Sequence, residues 1–287
     1  MSSNNKVQAA VCNHMGNVRR NNEDNFFLNG KYMPLKQMDA GGMFTCEGTG
    51  AQLYAVCDGM GGGEAGEEAS CMVAEALSEA TKNGGIPSIK ALCGLLQRTS
   101  DKIHRKHSSL TGSTIAMLAI DTGHVVILNI GDSRIYRLRN GRFKQVSFDH
   151  VGYQAHSITQ YLGMPEDDPL EPYIRMDDVG EWTIGTDTDT VYLLCSDGLT
   201  DMVANMDIRT ILLREKDPKV AAQALVDAAL RHGGKDNVTV MVVRVPQDMI
   251  VSQDNKTFRG WMTALQILCG VGMAAGLIGM IISLIVG

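Results

Sequence analysis

This sequence lacks the cysteine pattern of a disulfide framework. The seven thiols (Cys12, Cys46, Cys57, Cys71, Cys93, Cys195 and Cys269) are odd in number and widely spaced, and no Cys-x-x-Cys occurs. That pattern suggests neither a disulfide framework nor a zinc site, and buried, reduced thiols in a cytosolic domain are expected instead. A basic surplus is missing as well. Lys and Arg number 26 against 32 Asp and Glu, a net charge of -6, which argues against nucleic acid as a partner. The opening MSSNNKVQAA lacks the long apolar core of a secretory signal, so the bulk of the protein is expected inside the cell.

Charge is absent altogether from Trp261 to Gly287, where no Asp, Glu, Lys, Arg or His occurs. As a helix rising about 1.5 Å per residue, such a run reaches roughly 40 Å, more than the hydrocarbon core of about 30 Å. Thr263, Gln266 and Ser283 interrupt it without preventing a span. Lys256 and Arg259 precede it, and Trp261 stands at the expected interface. Basic flanks stay in the cytoplasm, so a single-pass C-terminal anchor with a cytoplasmic domain is expected. The competing assignment is a buried core helix. Gly272 and Gly276 form a G-x-x-x-G pair that could let two membrane helices approach, although glycine is common in such helices.

What remains is ordinary for a folded chain of 287 residues, 44% apolar and 20% charged. The expected partition is a domain over 1–245, a polar linker over 246–258 and a transmembrane helix over 259–287. Strands are predicted at Gln52–Cys57, Thr114–Ile120, His124–Ile130, Arg134–Arg139, Thr190–Cys195 and Val238–Val245, with turns at Asp121-Thr122-Gly123 and Asn140-Gly141. Helices are predicted at Glu64–Thr81, Ser88–His107 and Pro218–Arg231. Hairpins with long helices between them suggest an α+β sandwich, sheets inside and helices outside.

The placement of aspartates is the informative feature. Asp58 follows LYAVC, Asp132 follows VVILNIG and Asp197 follows VYLLCS, whereas Asp24 precedes NFFL and Asp236 precedes NVTVMVV. In antiparallel sheets the end of one strand lies beside the start of its neighbour, so these carboxylates can gather on one rim. Crowded carboxylates need a cation, and all-oxygen ligation suits Mg²⁺ or Mn²⁺. Each aspartate taken singly could cap a turn; all of them together are hard to explain that way. Asp58 also opens D-G-M-G-G-G before a helix, and Gly59 could offer its carbonyl to a metal. A phosphate-cradling nucleotide loop is the rival, but neither P-loop nor G-x-G-x-x-G spacing is present.

These segments resemble the metal-dependent protein phosphatases of the type 2C family in their compact bacterial form. The matching pieces are G-N-V-R-R-N-N-E-D (16–24), D-G-M-G-G-G-E-A-G-E-E-A-S (58–70), G-S-T (112–114), G-D-S-R (131–134), D-H (149–150), L-C-S-D-G-L-T-D (194–201) and G-G-K-D-N-V-T-V (233–240). The resemblance implies two antiparallel sheets in a central sandwich flanked by helices, with two Mn²⁺ or Mg²⁺ ions at one rim. It implies that Asp58 bridges the ions, that Asp197 and Asp236 complete one and that the Gly59 carbonyl binds the other. It further implies that Asp132, with Asp197, holds a third, weaker ion. Glu23 and Asp24 match the pair that orients the attacking water, and Arg19 matches the arginine that grips phosphate, with Arg20 as its neighbouring alternative. The implied activity is hydrolysis of phosphoserine and phosphothreonine by bimetal-activated water, opposing a Ser/Thr kinase in signalling. A phosphoprotein-binding pseudo-enzyme is the rival from another class.

The chain departs from the family in places. Met60 stands where many eukaryotic members have histidine, and Gly63 where bacterial relatives often do. Only residues 151–157 separate Asp149-His150 from I-T-Q-Y-L-G (158–163), a short flap. His14, His104, His107 and His156 fit no metal spacing.

Overall fold

Runs of Val, Ile, Leu and Ala build two sheets that face each other. In the computed structural model, which describes residues 6–61, 65–107, 111–121, 124–152, 157–177 and 189–246, the strands in chain order begin with β1 (Val7–His14), β2 (Asp24–Leu28), β3 (Gly42–Gly48) and β4 (Gln52–Met60). After helices α1 (Gly66–Thr81) and α2 (Ile89–Lys106) come β5 (Gly112–Ser113), β6 (Ile115–Asp121), β7 (His124–Ile130), β8 (Arg134–Arg139), β9 (Arg142–Gln145) and β10 (Tyr173–Asp177). The chain continues through β11 (Thr190–Cys195), α3 (Asp197–Thr200), α4 (Asn205–Arg214), α5 (Pro218–Arg231) and β12 (Val238–Val245).

One sheet has the order β3-β1-β12-β11-β8-β9, and the other β10-β7-β6-β4-β2, with β5 pairing β4. Every strand pairing in both is antiparallel. Val11, Phe26, Tyr54, Ile127 and Met241 fill the layer between the sheets. Leu193, Val240 and Val242 turn to the other face of the first sheet, against Ile208 and Leu225 of α4 and α5. Phe27, Ala55 and Met117 do the same on the second sheet, against Val73 and Leu92 of α1 and α2. Both faces of each sheet are therefore covered. That is why β2 and β11 are buried along their whole length, and why β11 reads as a nearly continuous apolar run.

Local chemistry fixes the ends of these elements. Ser88 Oγ accepts from the Ala91 N–H at 3.3 Å to start α2, and Asp217 caps α5 by accepting from Lys219 N–H at 2.8 Å, ahead of Pro218. Asn140 and Gly141 take φ of 48° and 72° in the two-residue β8–β9 hairpin, as their sequence predicts. Most predicted strands and helices stand within a residue or two of their expected bounds, and β7, β8, β11, β12 and α5 match them fully.

The predicted strands and helices did not include β1, β2, β3, β5, β9, β10, α3 or α4. β1 carries two alanines and β3 two glycines, weak strand formers that form here because β12 and β1 supply their partners. The structure divides into Met1–Val251 and Ser252–Gly287. The expected anchor at 259–287, nearly all of the linker and Gly63 and His156 lie outside the described residues. Among those described, no helix is long and apolar enough to cross a membrane.

Candidate metal centre

Strand register sets the first relationship of the site. Asp24 opens β2, Asp58 lies near the end of β4, and the pairing of these strands puts the two residues directly opposite one another. Like charges in that position repel. From the other sheet come Asp197, two residues after β11 and the first of α3, and Asp236, two residues before β12. Asp132 sits in the connection from β7 to β8, which passes from one sheet to the other. The structure thus gathers all of the aspartates expected there, on one rim. Asp24 is buried; Asp58, Asp132, Asp197 and Asp236 are half-buried at the mouth.

Their electrostatics agree with that crowding. Burial and then the charges of Asp24, Asp197, Asp132 and Asp236 hold the Asp58 carboxyl well above the usual carboxylate range. Asp197 is raised by burial and then by Asp132 and Asp236. Asp132 is raised chiefly by burial. Asp24 is raised by burial against two hydrogen bonds that favour its charge, from Ser196 Oγ and Thr239 Oγ1 to its Oδ2, each 2.7 Å.

Two acceptors in this cluster are left over. Asp24 Oδ1 and Asp132 Oδ1 are buried with no hydrogen-bond partner. As they stand among the described residues, no three or more His, Cys, Asp or Glu side chains are grouped closely enough to hold a metal ion, so the fit rests on the kind of donor and not on a finished cluster. An all-oxygen donor set with orphaned acceptors and mutual repulsion is what a hard divalent ion satisfies, so the residues fit Mg²⁺ or Mn²⁺.

Gly59 is held by close backbone packing. Its N–H donates to the Glu23 carbonyl at 3.1 Å, and a Cβ there would lie 2.2 Å from the Gly66 carbonyl oxygen and 2.5 Å from that of Glu23. Only glycine lets the end of β4 pass so near the start of α1. Glu23 is fixed through its backbone: its carbonyl also accepts from Ser70 Oγ at 2.6 Å, and its N–H donates to Asn237 Oδ1 at 2.8 Å. The Glu23 side chain is half-buried, and burial raises its carboxyl. Arg19 reaches over the rim, with Nη2 2.5 Å from Asp236 Oδ2. Arg20 is exposed and makes no such ion pair among the described residues.

Sequence reasoning assigned no role to the residues that brace these groups. Asn237 also donates to the carbonyls of Met15 and Asn21, at 2.8 and 2.9 Å, binding the Arg19 loop to the start of β12. Asn13 donates to Thr239 Oγ1 at 2.8 Å and accepts from Asn22 Nδ2 at 2.6 Å. The available signal was polarity inside apolar strands, as in D-N-V-T, where a buried Asn or Thr must have partners.

A family profile described as protein phosphatase 2C matches residues 36–232. The chain belongs to the protein phosphatase 2C family. As a member it is a metal-dependent serine/threonine protein phosphatase, and Mn²⁺ or Mg²⁺ is its cofactor. It is 28% identical over 250 residues to the serine/threonine phosphatase stp of Listeria monocytogenes, covering 79% of this chain and 92% of that one. It is 31% identical over 270 residues to the serine/threonine protein phosphatase PstP of Mycobacterium tuberculosis, covering 83% of this chain and 45% of the relative. The crystal structure of the PstP catalytic domain in complex with two manganese ions superposes with a TM-score of 0.66 at 30% identity, over 84% of this chain and 99% of that one.

The family departures can be placed in part. Met60, half-buried, ends β4. The two ends of the short flap are joined: Gly152 N–H donates to the Ser157 carbonyl at 2.7 Å, and Thr159 N–H to that of His150 at 2.8 Å. Beyond it, Leu162 and Ser113 exchange backbone hydrogen bonds of 2.9 Å, and Ser113 pairs Gly59. The segment that follows the flap is therefore tied to the strand that carries Asp58. His14 does local work, its Nδ1 accepting from Gly16 N–H at 2.9 Å.

Proposed function

We propose that this phosphatase works at the cytoplasmic face of a membrane, held by a C-terminal helix over 259–287, on phosphoproteins that a Ser/Thr kinase has modified. We assign its divalent ions to Asp58, the Gly59 carbonyl, Asp197 and Asp236, with Asp132 contributing to a third, weaker position. The observation that carries the assignment is Asp24 directly opposite Asp58, with Asp197, Asp236 and Asp132 brought to the same rim by other elements.

Bound there, the ions supply positive charge for the phosphoryl oxygens and lower the pKa of the attacking water. The chain's own groups bind and orient. Arg19, exposed and reaching across the rim, presents a planar fork that can donate two parallel hydrogen bonds to a phosphate. Asp24, with Oδ2 pinned by Ser196 and Thr239, keeps Oδ1 to accept from a water and so direct it. Glu23, anchored by Asn237, Gly59 and Ser70, holds the second acceptor beside it. Met60 offers no proton, so protonation of the leaving group falls to water.

Support for the anchor is the uncharged run from Trp261 to Gly287 behind Lys256 and Arg259. The test of the activity is phosphate release by the full chain from a phosphothreonine peptide with Mn²⁺, Mg²⁺ or EDTA. Release that needs the metal and stops with EDTA is expected; a folded chain inert under every metal would instead favour phosphoprotein binding without turnover. For the anchor, the full chain should fractionate with membranes and a chain ending at Val245 should not. Equal partition of both would remove the anchor from this reading.

A further inference from the structure

The Asp24 carboxylate ends a line of polar side chains whose hydrogens can point in one direction only. Asn13 on β1 stands directly opposite Thr239 on β12, and Asn13, Asn22, Asp24, Ser196 and Thr239 are all buried. Buried amides and hydroxyls must find partners. Here backbone groups, which cannot exchange the role of donor for that of acceptor, decide which side chain gives to which.

The line starts at Asn22. Its Nδ2 donates to the Met38 carbonyl at 3.0 Å, and its Oδ1 accepts from the Asp24 N–H at 3.2 Å. A carbonyl only accepts and a backbone N–H only donates, so this amide is fixed, and its Nδ2 also donates to Asn13 Oδ1 at 2.6 Å. Asn13 is fixed in turn, because its Nδ2 faces the Asp24 carbonyl at 3.3 Å. The same Nδ2 donates to Thr239 Oγ1 at 2.8 Å. Thr239 accepts there, and its single hydrogen is left for Asp24 Oδ2 at 2.7 Å. Ser196 is set by the same logic. Its Oγ accepts from the Thr239 N–H at 3.0 Å and gives its hydrogen to the same Oδ2 at 2.7 Å.

Two hydrogens converging on Oδ2 decide what the other oxygen does. Oδ2 is taken up as an acceptor, while Oδ1 is buried without a hydrogen-bond partner. We propose that Asn13 is a positioning residue for the hydrolysis: its amide turns the Thr239 hydroxyl onto Asp24 Oδ2 and so leaves Oδ1 as the oxygen that meets water. This inference rests on the reading of Asp24 as the group that directs the attacking water. What matters at position 13 is a donor facing Thr239, not side-chain size. An aspartate there has the same shape and still accepts from Asn22, but it offers Thr239 an acceptor. Two carboxylates then compete for one hydroxyl hydrogen, and Asp24 loses its fixed orientation.

The experiment uses the full chain in neutral detergent, with kcat and KM measured on a phosphothreonine peptide and Mn²⁺ binding followed by calorimetry. Asn13→Asp should lower kcat about tenfold and leave KM within about twofold, because one charge-assisted hydrogen bond is redirected while Arg19 is untouched. Asn13→Leu, which offers Thr239 neither donor nor acceptor, should lie between that variant and wild type. Thr239→Val should lose about tenfold in kcat, and Thr239→Ser, which keeps the hydroxyl, should recover most of it. Mn²⁺ affinity should stay within about twofold in Asn13→Leu and Thr239→Val; a fall matching that in kcat would assign these residues to holding metal and overturn the proposal. Asp24→Asn tests the underlying reading. The two hydroxyl hydrogens hold its amide oxygen at the Oδ2 position and put NH₂ at the other, so kcat should drop about a hundredfold. Wild-type kcat in Asp24→Asn would remove the water-directing role itself. In that background Asn13→Asp should lower kcat no further. If it lowers kcat by its full factor there, the two residues act independently, and the positioning role alone is lost. If Asn13→Asp does not fold, Asn13→Leu carries the same cycle.

Discussion

Arg19 and Asp236 stand 217 positions apart and meet at 2.5 Å, so the loop before β2 is closed over the loop before β12. The pair is partly exposed, with side chains 48% and 35% accessible, and solvent screens it. Its consequence is therefore more about position than stability: the cation that meets phosphate waits beside a carboxylate that meets metal.

Arg19→Ala should mainly raise KM for a phosphothreonine peptide, by about tenfold, because it removes phosphate binding more than chemistry. Arg19→Lys should restore only part of the loss, since an ammonium cannot donate as a fork. An unchanged KM in Arg19→Ala, with a raised one in Arg20→Ala, would move the assignment to Arg20.

Removal of one carboxylate should have opposite effects on activity and on metal-free stability. Asp58→Asn relieves the repulsion from Asp24, Asp197, Asp132 and Asp236, so its Tm in EDTA should rise by about 3 °C. With saturating Mn²⁺ the order should reverse, because wild type alone gains full binding energy. Turnover should fall more than about a hundredfold in Asp58→Asn, and likewise in Asp197→Ala and Asp236→Ala. Near-normal rates with a native circular dichroism spectrum would sink the ligand assignment.

Asn237 holds three backbone groups of the N-terminal loop while remaining only 4% exposed. Asn237→Ala should cost about 2–4 kcal/mol in urea unfolding, one modest hydrogen bond for each partner and a desolvated N–H left at Glu23. The KM should rise together with that loss, because the loop carries Arg19. Asn237→Asp keeps the acceptor for Glu23 but loses both donors, and should fall between the two. A stable Asn237→Ala variant with wild-type KM would contradict the bracing role.

Burial pushes the thiols of Cys12 and Cys71 up to about 12, helped by Asp227 and Glu75 respectively. In the unfolded chain the value is about 8.5. The folded form therefore holds protons that the unfolded form releases. The associated stability is fully present below about pH 8.5 and is lost as pH rises toward about 12. Thermal unfolding across that range should show a falling Tm. Brief alkylation at about pH 8 should leave both residues unmodified when folded and modify both in urea. Rapid labelling of the folded protein would contradict this placement.

How much of this was legible beforehand differs by element. β7, β8, β11, β12 and α5 could be read to the residue, because β-branched runs and helical spacing are local signals. β1 and β3 could not. Ala9, Ala10 and the glycines of β3 carry little strand preference, and these strands exist because β12 offers an edge to β1 and β1 to β3. α4 opens on Asn205-Met206-Asp207 without a side-chain cap bond and has few buried residues, so its period was weak.

The sequence by itself determined the kinds of chemistry available: aspartates at strand ends, glycine where the backbone passes close, and no charge from Trp261 onward. These are local facts of side-chain type and spacing. Tertiary structure alone decided that Asp24 faces Asp58, that Arg19 rests on Asp236 in preference to its neighbour, and that Asn237 ties both ends of the site together. It also decided that Asn13, Thr239 and Asp24 stand in one hydrogen-bonded line, though three separate strands supply them. Register and sheet order bring distant residues together. They are fixed by burial on every face of two sheets at once, a sum over the whole chain that no short segment contains.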